Sequence, residues 1–281
     1  MSDKFQLYSK LYKDTLLQDV IPFWVKNSID NKNGGYFTCL DRKGEVYDTD
    51  KFIWLQGRQA WTFSMLYNKV EKKQEWVDVA KNGIDFLINK GMDGYGNFYF
   101  STNAIGEPLV ESYNIFSDCF AAMAFSQYAT ASGDDQARDL AISTYRNIIS
   151  RQDNPKGKYE KNTSIRPLKG FALPMILSNL AMELEDVLEK EEVDRTIQKS
   201  VYEVMNVFLD ASNGIIYENV MPDGSHHDSF NGRLLNPGHG IEAMWFMMDI
   251  GVRNNDQALI KKAIDTVLAI LNYSWDKEYG G

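Results

Sequence analysis

One stretch of the sequence, from Asn236 to Glu242, carries the residue types that acid–base chemistry requires. It reads Asn-Pro-Gly-His-Gly-Ile-Glu and places His239 three residues before Glu242. Pro and Gly end the preceding loop, so we expect His239 to open a helix, on which residues three apart share a face. A helix N-terminus favours the neutral imidazole and a carboxylate favours the imidazolium, a balance that suits a general base. The alternative is a structural histidine bonded to a neighbouring carboxylate; the buried setting and the Asn-Pro-Gly lead-in favour the catalytic interpretation.

A second candidate is Arg58, which shares a helix face with Trp54 and Trp61 inside an otherwise apolar segment. A buried arginine needs an anionic partner or ligand. The guanidinium could therefore stabilise an oxyanion that develops during a reaction. The alternative, equally favoured by spacing, is a salt bridge to a core carboxylate such as Asp118 or Glu242.

A third cluster, His226-His227-Asp228, could bind a metal ion, but adjacent histidines in a loop rarely share one ion, and a polar surface loop is the favoured interpretation. Cys39 and Cys119 lack the spacing of a metal or redox motif. The sequence contains no phosphate-binding glycine loop, dinucleotide fingerprint or nucleophile elbow. No metal site is therefore expected.

The elements that position these residues repeat along the chain. Four amphipathic segments begin with a small residue followed by apolar residues at offsets of 4, 7 and 8, the spacing of one helix face. They start at Ala80, Ala141, Ser200 and Ala263, a period of about 60 residues. Each follows a segment that is apolar nearly all round, which predicts a buried helix. These four buried segments are Phe52–Tyr67, Ile115–Thr130, Phe171–Leu184 and His239–Val252.

The loops between the repeats also share a pattern, in which Asp and Gly precede an aromatic residue. Such clusters form turns, and we expect short hairpins behind them. The aromatic residues concerned are Tyr36, Phe98, Tyr159 and Tyr217.

Alternating inner and outer helices with this period predict an all-α fold, an (α/α)6 barrel, in preference to an open solenoid with a shorter repeat. Residues 1–281 are expected to form a single barrel domain. The first helix, about Phe5–Val25, and four inner–outer pairs make about nine of twelve helices, so we expect the C-terminal part of the barrel to be missing. The apolar flanks left open would favour association, for example as a homodimer, and would leave residues 1–281 poorly stable alone.

Composition limits the classes of function. The net charge is −9, with no Lys/Arg stripe, which argues against a nucleic-acid partner. No apolar run is long enough to span a membrane, and no signal peptide is evident. Two cysteines make no disulfide framework, so a reducing cytoplasm is the expected location.

Several motifs together resemble the N-acylglucosamine 2-epimerase family, which includes proteins also called renin-binding proteins. The resemblance runs along the whole chain in order. It is carried by Gly34-Gly-Tyr-Phe-Thr-Cys-Leu40, Val46-Tyr-Asp48, Trp54-Leu-Gln-Gly-Arg-Gln-Ala-Trp61, Ile115-Phe-Ser-Asp-Cys-Phe120 and Gly232-Arg-Leu-Leu-Asn-Pro-Gly-His-Gly-Ile-Glu-Ala-Met-Trp-Phe246.

The resemblance implies an (α/α)6 barrel and assigns roles to residues that match the family motifs. His239 is similar to one of two catalytic histidines, with Glu242 as its supporting carboxylate and Arg58 as the anion-stabilising arginine. Trp54, Asp118 and Asn236 are the substrate-binding residues expected on this basis. The family's second histidine lies in a Trp-x-His-x-x-Glu stretch, which this sequence lacks.

The activity implied by the resemblance is the interconversion of N-acetylglucosamine and N-acetylmannosamine in sialic acid metabolism, with a small amino sugar as the partner. No cofactor is required, and ATP is an effector in some family members. The alternatives are a cellobiose 2-epimerase or aldose–ketose isomerase of the same fold, a non-catalytic binding toroid, or an inactive fragment. Because His239 serves one face of a substrate only, residues 1–281 alone are expected to be inactive as an epimerase.

Overall fold

A computed structural model describes residues 3–161, 163 and 165–281 of the chain. Within them the chain divides into two compact units, Met1–Tyr159 and Glu160–Gly281. Each unit is built from paired helices joined by loops with short antiparallel strands. The expectation of a single barrel domain over residues 1–281 stays a prediction.

The first unit consists of a long N-terminal helical segment and two helix pairs. The N-terminal segment runs through α1, a π-helical turn and α2 without a break. The bounds are α1 Asp3–Thr15, π-turn Leu16–Val20, α2 Ile21–Asn27, α3 Ile53–Lys69, α4 Gln74–Lys90, α5 Phe116–Ser132 and α6 Asp135–Arg151. The inner helices α3 and α5 agree with the predicted segments to within two residues, whereas the outer helices α4 and α6 begin six residues before the predicted starts at Ala80 and Ala141.

The contrast between inner and outer helices is confirmed by burial. In α5, 12 of 17 residues are buried, whereas in α6 only five of 17 are, spaced along one face. Helices α3 and α5 pack closely because Gly57 of α3 lies against the main chain of α5: a Cβ there would be 2.8 Å from the carbonyl carbon of Phe120. The absent side chain therefore sets the distance between the two inner helices.

The N-terminal helix differs from the other outer helices, because α1 has no buried residue within the described part of the chain. Phe5 and Tyr12 expose 70% and 71% of their surface. On α9 of the second unit, Trp245 and Val252 are also exposed, at 54% and 67%. Both helices therefore present large apolar side chains to solvent.

The first loop is held on the helices by side chains rather than by a ladder of strands. An isolated bridge pairs Ile29 with Tyr36. The amide of Gln56 on α3 donates to Tyr36 O at 2.8 Å and accepts from Tyr36 N at 2.7 Å. The Tyr36 hydroxyl donates to Val79 O on α4 at 2.7 Å. The loop is thereby docked on both helices of the first pair.

Short strands complete the loops of the first unit. A two-stranded sheet pairs β1 with β2, and a three-stranded antiparallel sheet has the order β3-β4-β5. The strands are β1 Cys39–Leu40, β2 Val46–Asp48, β3 Lys51–Phe52, β4 Ser101–Thr102 and β5 Pro108–Val110. The predicted hairpin at Tyr159 is wrong: Gly157–Tyr159 is a 3-10 turn, since that loop has no second strand to pair with in the described residues.

The second unit contains two further helix pairs and two small antiparallel sheets, β6 with β9 and β7 with β8. Its helices are α7 Ala172–Glu183, α8 Lys190–Tyr202 with the π-helical turn Glu203–Phe208, α9 Pro237–Asn254 and α10 Gln257–Ser274. Its strands are β6 Lys169–Gly170, β7 Leu209–Asp210, β8 Ile215–Ile216 and β9 Asn219–Val220. Among the described residues, no helix is long and apolar enough to cross a membrane.

Candidate active site

His239 lies in the first turn of α9, as predicted. Asn236 caps this helix: its side-chain oxygen accepts a hydrogen bond from the His239 main-chain N–H at 3.4 Å, and Pro237 occupies the first helical position. Proline fits there because its missing N–H would have no partner inside the helix. The imidazole therefore projects from a defined, capped helix start.

The carboxylate that contacts the His239 ring is Glu218. Its Oε1 lies 2.9 Å from His239 Nδ1, and the two side chains are 13% and 35% exposed. Glu218 lies between β8 and β9, 21 residues before the histidine. Residue spacing gives no signal for this contact across 21 residues, although the neighbouring Tyr217 belongs to the Asp–Gly–aromatic loop pattern.

Glu242, the carboxylate predicted to support His239, follows it by three residues on α9 and is partly buried. Its assigned role stays a prediction, as does the substrate contact assigned to Asn236, which is exposed. The candidate site residues of the second unit are therefore Glu218, Asn236, His239 and Glu242.

In the first unit, Arg58 and Trp54 lie on α3 beside Phe120 of α5. The guanidinium carbon of Arg58 is 4.9 Å from the centre of the Phe120 ring, and the Trp54 ring is 5.9 Å from the same ring. Arg58 is exposed, so the expectation of a buried arginine is wrong. The reason is that Gly57 and Ala60 form the buried face of α3, and Arg58 lies beside that face.

Asp118 is completely buried in the first turn of α5, and its ion-pair partner is Arg151 of α6, at 2.5 Å between Oδ1 and the guanidinium. Oδ2 has no hydrogen-bond partner among the described residues. Burial raises the pKa of Asp118 to about 6, against the opposing effect of Arg151. Its expected contact with substrate stays a prediction.

In the loop between β9 and α9, His226 contacts an aromatic residue. The His226 ring lies 4.5 Å from the Tyr217 ring, centre to centre. Within the described ranges, no three His, Cys, Asp or Glu side chains are grouped so that they could hold a metal ion. Cys39 and Cys119 are free thiols, the second one buried.

Solved structures of sugar-converting enzymes share this arrangement of helices. The chain superimposes on a cellobiose 2-epimerase from Bacillus thermoamylovorans with a TM-score of 0.83 at 21% identity, covering 97% of this chain and 74% of that one. A D-mannose isomerase gives 0.81 at 18% identity, covering 97% and 73%. These likenesses confirm the fold class predicted from the sequence, that of the (α/α)6 barrel.

Sequence comparison defines the family. The sequence model of the N-acylglucosamine 2-epimerase (GlcNAc 2-epimerase) family matches residues 35–281. The N-acylglucosamine 2-epimerase of Bos taurus is 31% identical over 99% of this chain and 69% of its own length. The chain belongs to the N-acylglucosamine 2-epimerase family. It spans about two thirds of the length of the curated relatives it matches.

Proposed function

We propose that this chain is part of a sugar 2-epimerase that interconverts N-acetylglucosamine and N-acetylmannosamine. The observation that carries the proposal is His239, an imidazole at a capped helix start whose Nδ1 is held by a carboxylate. A ring held in this way is arranged as a general base. Membership of a family of epimerases supports the choice of reaction.

The reaction requires the open-chain sugar, in which the hydrogen on C2 lies next to the aldehyde. His239 removes this proton, and the electron pair moves to the carbonyl oxygen to give the enolate of the 2-acetamido sugar. Arg58 is the cation proposed to stabilise that oxyanion. The proton must then return to the opposite face of C2, which is most simply done by a second acid–base group.

The proposed route needs no nicotinamide, since the proton leaves and returns without a change of oxidation state, and it needs no metal ion, since Arg58 is the cation proposed at the oxyanion. We place the activity in amino-sugar and sialic acid metabolism in the cytoplasm. Exposed apolar side chains on α1 and α9 support a homodimer. Regulation by ATP is retained as a proposal on the basis of the family resemblance alone.

A second candidate is an aldose–ketose isomerase or cellobiose 2-epimerase of the same fold. The isomerase would act on a sugar with a hydroxyl at C2. It would form an enediolate, return the proton to C1, and move the O2 proton to O1 so that C2 becomes the ketone. The likeness to a D-mannose isomerase and a cellobiose 2-epimerase supports this alternative. A protein that binds a sugar without converting it is the remaining candidate.

Proton NMR in D2O distinguishes these functions. N-acetylmannosamine, N-acetylglucosamine, cellobiose and mannose are each incubated with the protein. Deuterium at C2 of an N-acetylhexosamine is the expected result, and both epimers appear if a second acid–base group serves the other face. If His239 is the only acid–base group present, deuterium enters C2 of the epimer supplied and the other epimer does not form. A ketose signal would support the isomerase. Exchange in cellobiose alone would support the disaccharide epimerase, and the absence of exchange in every sugar would support the binding protein.

A further inference from the structure

The contact between His239 and Glu218 fixes which ring nitrogen carries a proton in the neutral imidazole. An ionised carboxylate only accepts hydrogen bonds, so at 2.9 Å from Glu218 Oε1 the Nδ1 atom must be the donor. The other nitrogen, Nε2, then keeps a lone pair. No hydrogen bond reaches Nε2 from any residue in the described part of the chain.

We infer that Glu218 is the positioning residue of this site: it holds His239 as the Nδ1–H tautomer and thereby makes Nε2 the atom that takes the substrate proton. The part of this inference that concerns the substrate rests on the proposed function. The part that concerns the tautomer rests on the geometry alone. Glu218 itself touches no reacting atom.

The main chain around Glu218 is held firmly enough for this role. Its N–H donates to Leu234 O at 3.0 Å, and its C=O accepts from Phe171 N at 2.9 Å. On either side, β8 pairs with β7 and β9 pairs with β6. The carboxylate is therefore presented from a short segment whose two ends and centre are all hydrogen-bonded.

The histidine is fixed from its own side as well. Asn236 caps α9 at the His239 amide. The His239 side chain is 35% exposed while Nδ1 is engaged, so part of the side chain remains open to solvent. A substrate carbon could approach there without disturbing the contact with Glu218. Glu242 cannot replace Glu218 at Nδ1, because that position is already occupied.

The test uses the small number of histidines in the chain, which are His226, His227 and His239. Protein labelled with 15N in histidine is studied by long-range 1H–15N correlation at a pH where the ring is neutral, and the His239 signals are assigned with His239→Asn. This spectrum distinguishes Nδ1–H from Nε2–H. We expect wild-type His239 to be almost entirely the Nδ1–H tautomer.

Glu218→Gln is the decisive variant, because an amide both donates and accepts and so no longer selects one tautomer. We expect a mixture with a substantial Nε2–H fraction and a fall in C2 exchange of between about a hundred-fold and ten-thousand-fold. Glu203→Gln is the matched control: Glu203 is 17% exposed and pairs with Lys169. Its tautomer spectrum and exchange rate should equal those of the wild type.

Three results would overturn the inference: an Nε2–H tautomer in the wild type, an unchanged tautomer ratio in Glu218→Gln, or a ratio that responds to Glu242→Gln instead. A separate result would count against the proposed function only, namely the expected tautomers with no C2 exchange in any sugar. Thermal unfolding of Glu218→Gln, followed by circular dichroism, checks that the variant is folded. The tautomer ratio reports the contact itself, and C2 exchange reports its role: a purely structural contact would shift the tautomer ratio in Glu218→Gln and leave C2 exchange unchanged.

Discussion

Lys51 and Asp30 form an ion pair that is shut off from solvent: Lys51 Nζ lies 2.8 Å from Asp30 Oδ2, and the side chains are 0% and 2% exposed. The same ammonium group donates to Gly34 O at 2.5 Å and to Ala104 O at 3.0 Å. All three of its protons therefore have acceptors. Through these contacts, Lys51 joins the loop before β1, which carries Asp30 and Gly34, to the loop between β4 and β5, which carries Ala104.

Replacing Lys51 with Met should destabilise the protein by about 3–5 kcal/mol, because it leaves the Asp30 carboxylate buried without its partner. The free energy of unfolding in urea measures the loss. The control is Lys81→Met, which breaks the ion pair between Lys81 and Asp85. Both of these side chains are more than half exposed, so this substitution should cost about 0–1 kcal/mol. Adding Asp30→Asn to Lys51→Met should recover part of the loss. Equal losses in the two single variants would contradict the prediction.

Replacing Arg58 with Met should lower C2 exchange by about a hundred-fold or more, since one donor to the enolate oxygen is lost. Because Arg58 is exposed, the free energy of unfolding should fall by less than about 1 kcal/mol. Lys72→Met is a matched control, as Lys72 also lies over an aromatic ring, 4.4 Å from the centre of Tyr67. A large loss of stability with normal exchange would instead indicate a structural ion pair.

Replacing His239 with Asn should abolish C2 exchange and leave the helical content unchanged. The variant loses one hydrogen bond, to the ionised carboxylate of Glu218, so the free energy of unfolding should fall by about 1.5–3 kcal/mol. His226→Asn serves as the control, because His226 is exposed in the loop between β9 and α9, and this variant should exchange C2 hydrogen like the wild type. Wild-type exchange in His239→Asn would end its assignment as the base.

The pH dependence of stability should carry the signature of Asp118. Its pKa is about 6 in the folded protein against 3.8 for an ordinary aspartate, because burial disfavours the charged form. The folded state therefore holds this proton more tightly than the unfolded state. Stability from this source is complete below about pH 3.8 and is lost as the pH rises through about 6, on the order of 3 kcal/mol in all.

Asp118→Asn tests this assignment, since the amide does not titrate. The variant also lacks the ion pair with Arg151, so the slope of unfolding free energy against pH is compared rather than its absolute value. Between pH 4 and 7 the wild type should lose stability relative to Asp118→Asn. Parallel curves would mean that Asp118 is ionised throughout this range.

Replacing Gly57 with Ala should cost about 1–3 kcal/mol, because the new Cβ would lie 2.8 Å from the main chain of Phe120 and force α3 and α5 apart. Since Arg58 is the next residue, C2 exchange should fall as well. Gly94→Ala is the matched control, with no atom within 4 Å of its Cβ. Unfolding in urea measures both variants, and equal stabilities would contradict the role given to Gly57.

Features that depend on local pattern could be predicted from the sequence. Helices α5 and α6 follow directly from the distribution of apolar residues, and the start of α9 follows from Asn236, Pro237 and Gly238. These signals lie within a few residues of the feature they specify, and the family resemblance extends them to the whole chain.

Pairings between distant residues could not be predicted in this way. Glu218 reaches His239 across 21 residues, and Asp118 reaches Arg151 across 33, through loop geometry that no periodicity encodes. The exposure of Arg58 was missed for a related reason. An apolar helix indicates burial of the segment, but the face that is buried depends on where a neighbouring helix approaches.

The docking of Tyr36 has a consequence for cooperativity. Loops of this kind usually open locally at little cost in free energy. Here the loop main chain is bonded to the Gln56 amide, and the Tyr36 hydroxyl is bonded to Val79 O. Opening the loop therefore breaks bonds to two helices at once. In hydrogen-exchange terms, the amide of Tyr36 belongs to the same foldon as α3 and α4, and its protection reports on the helix pair.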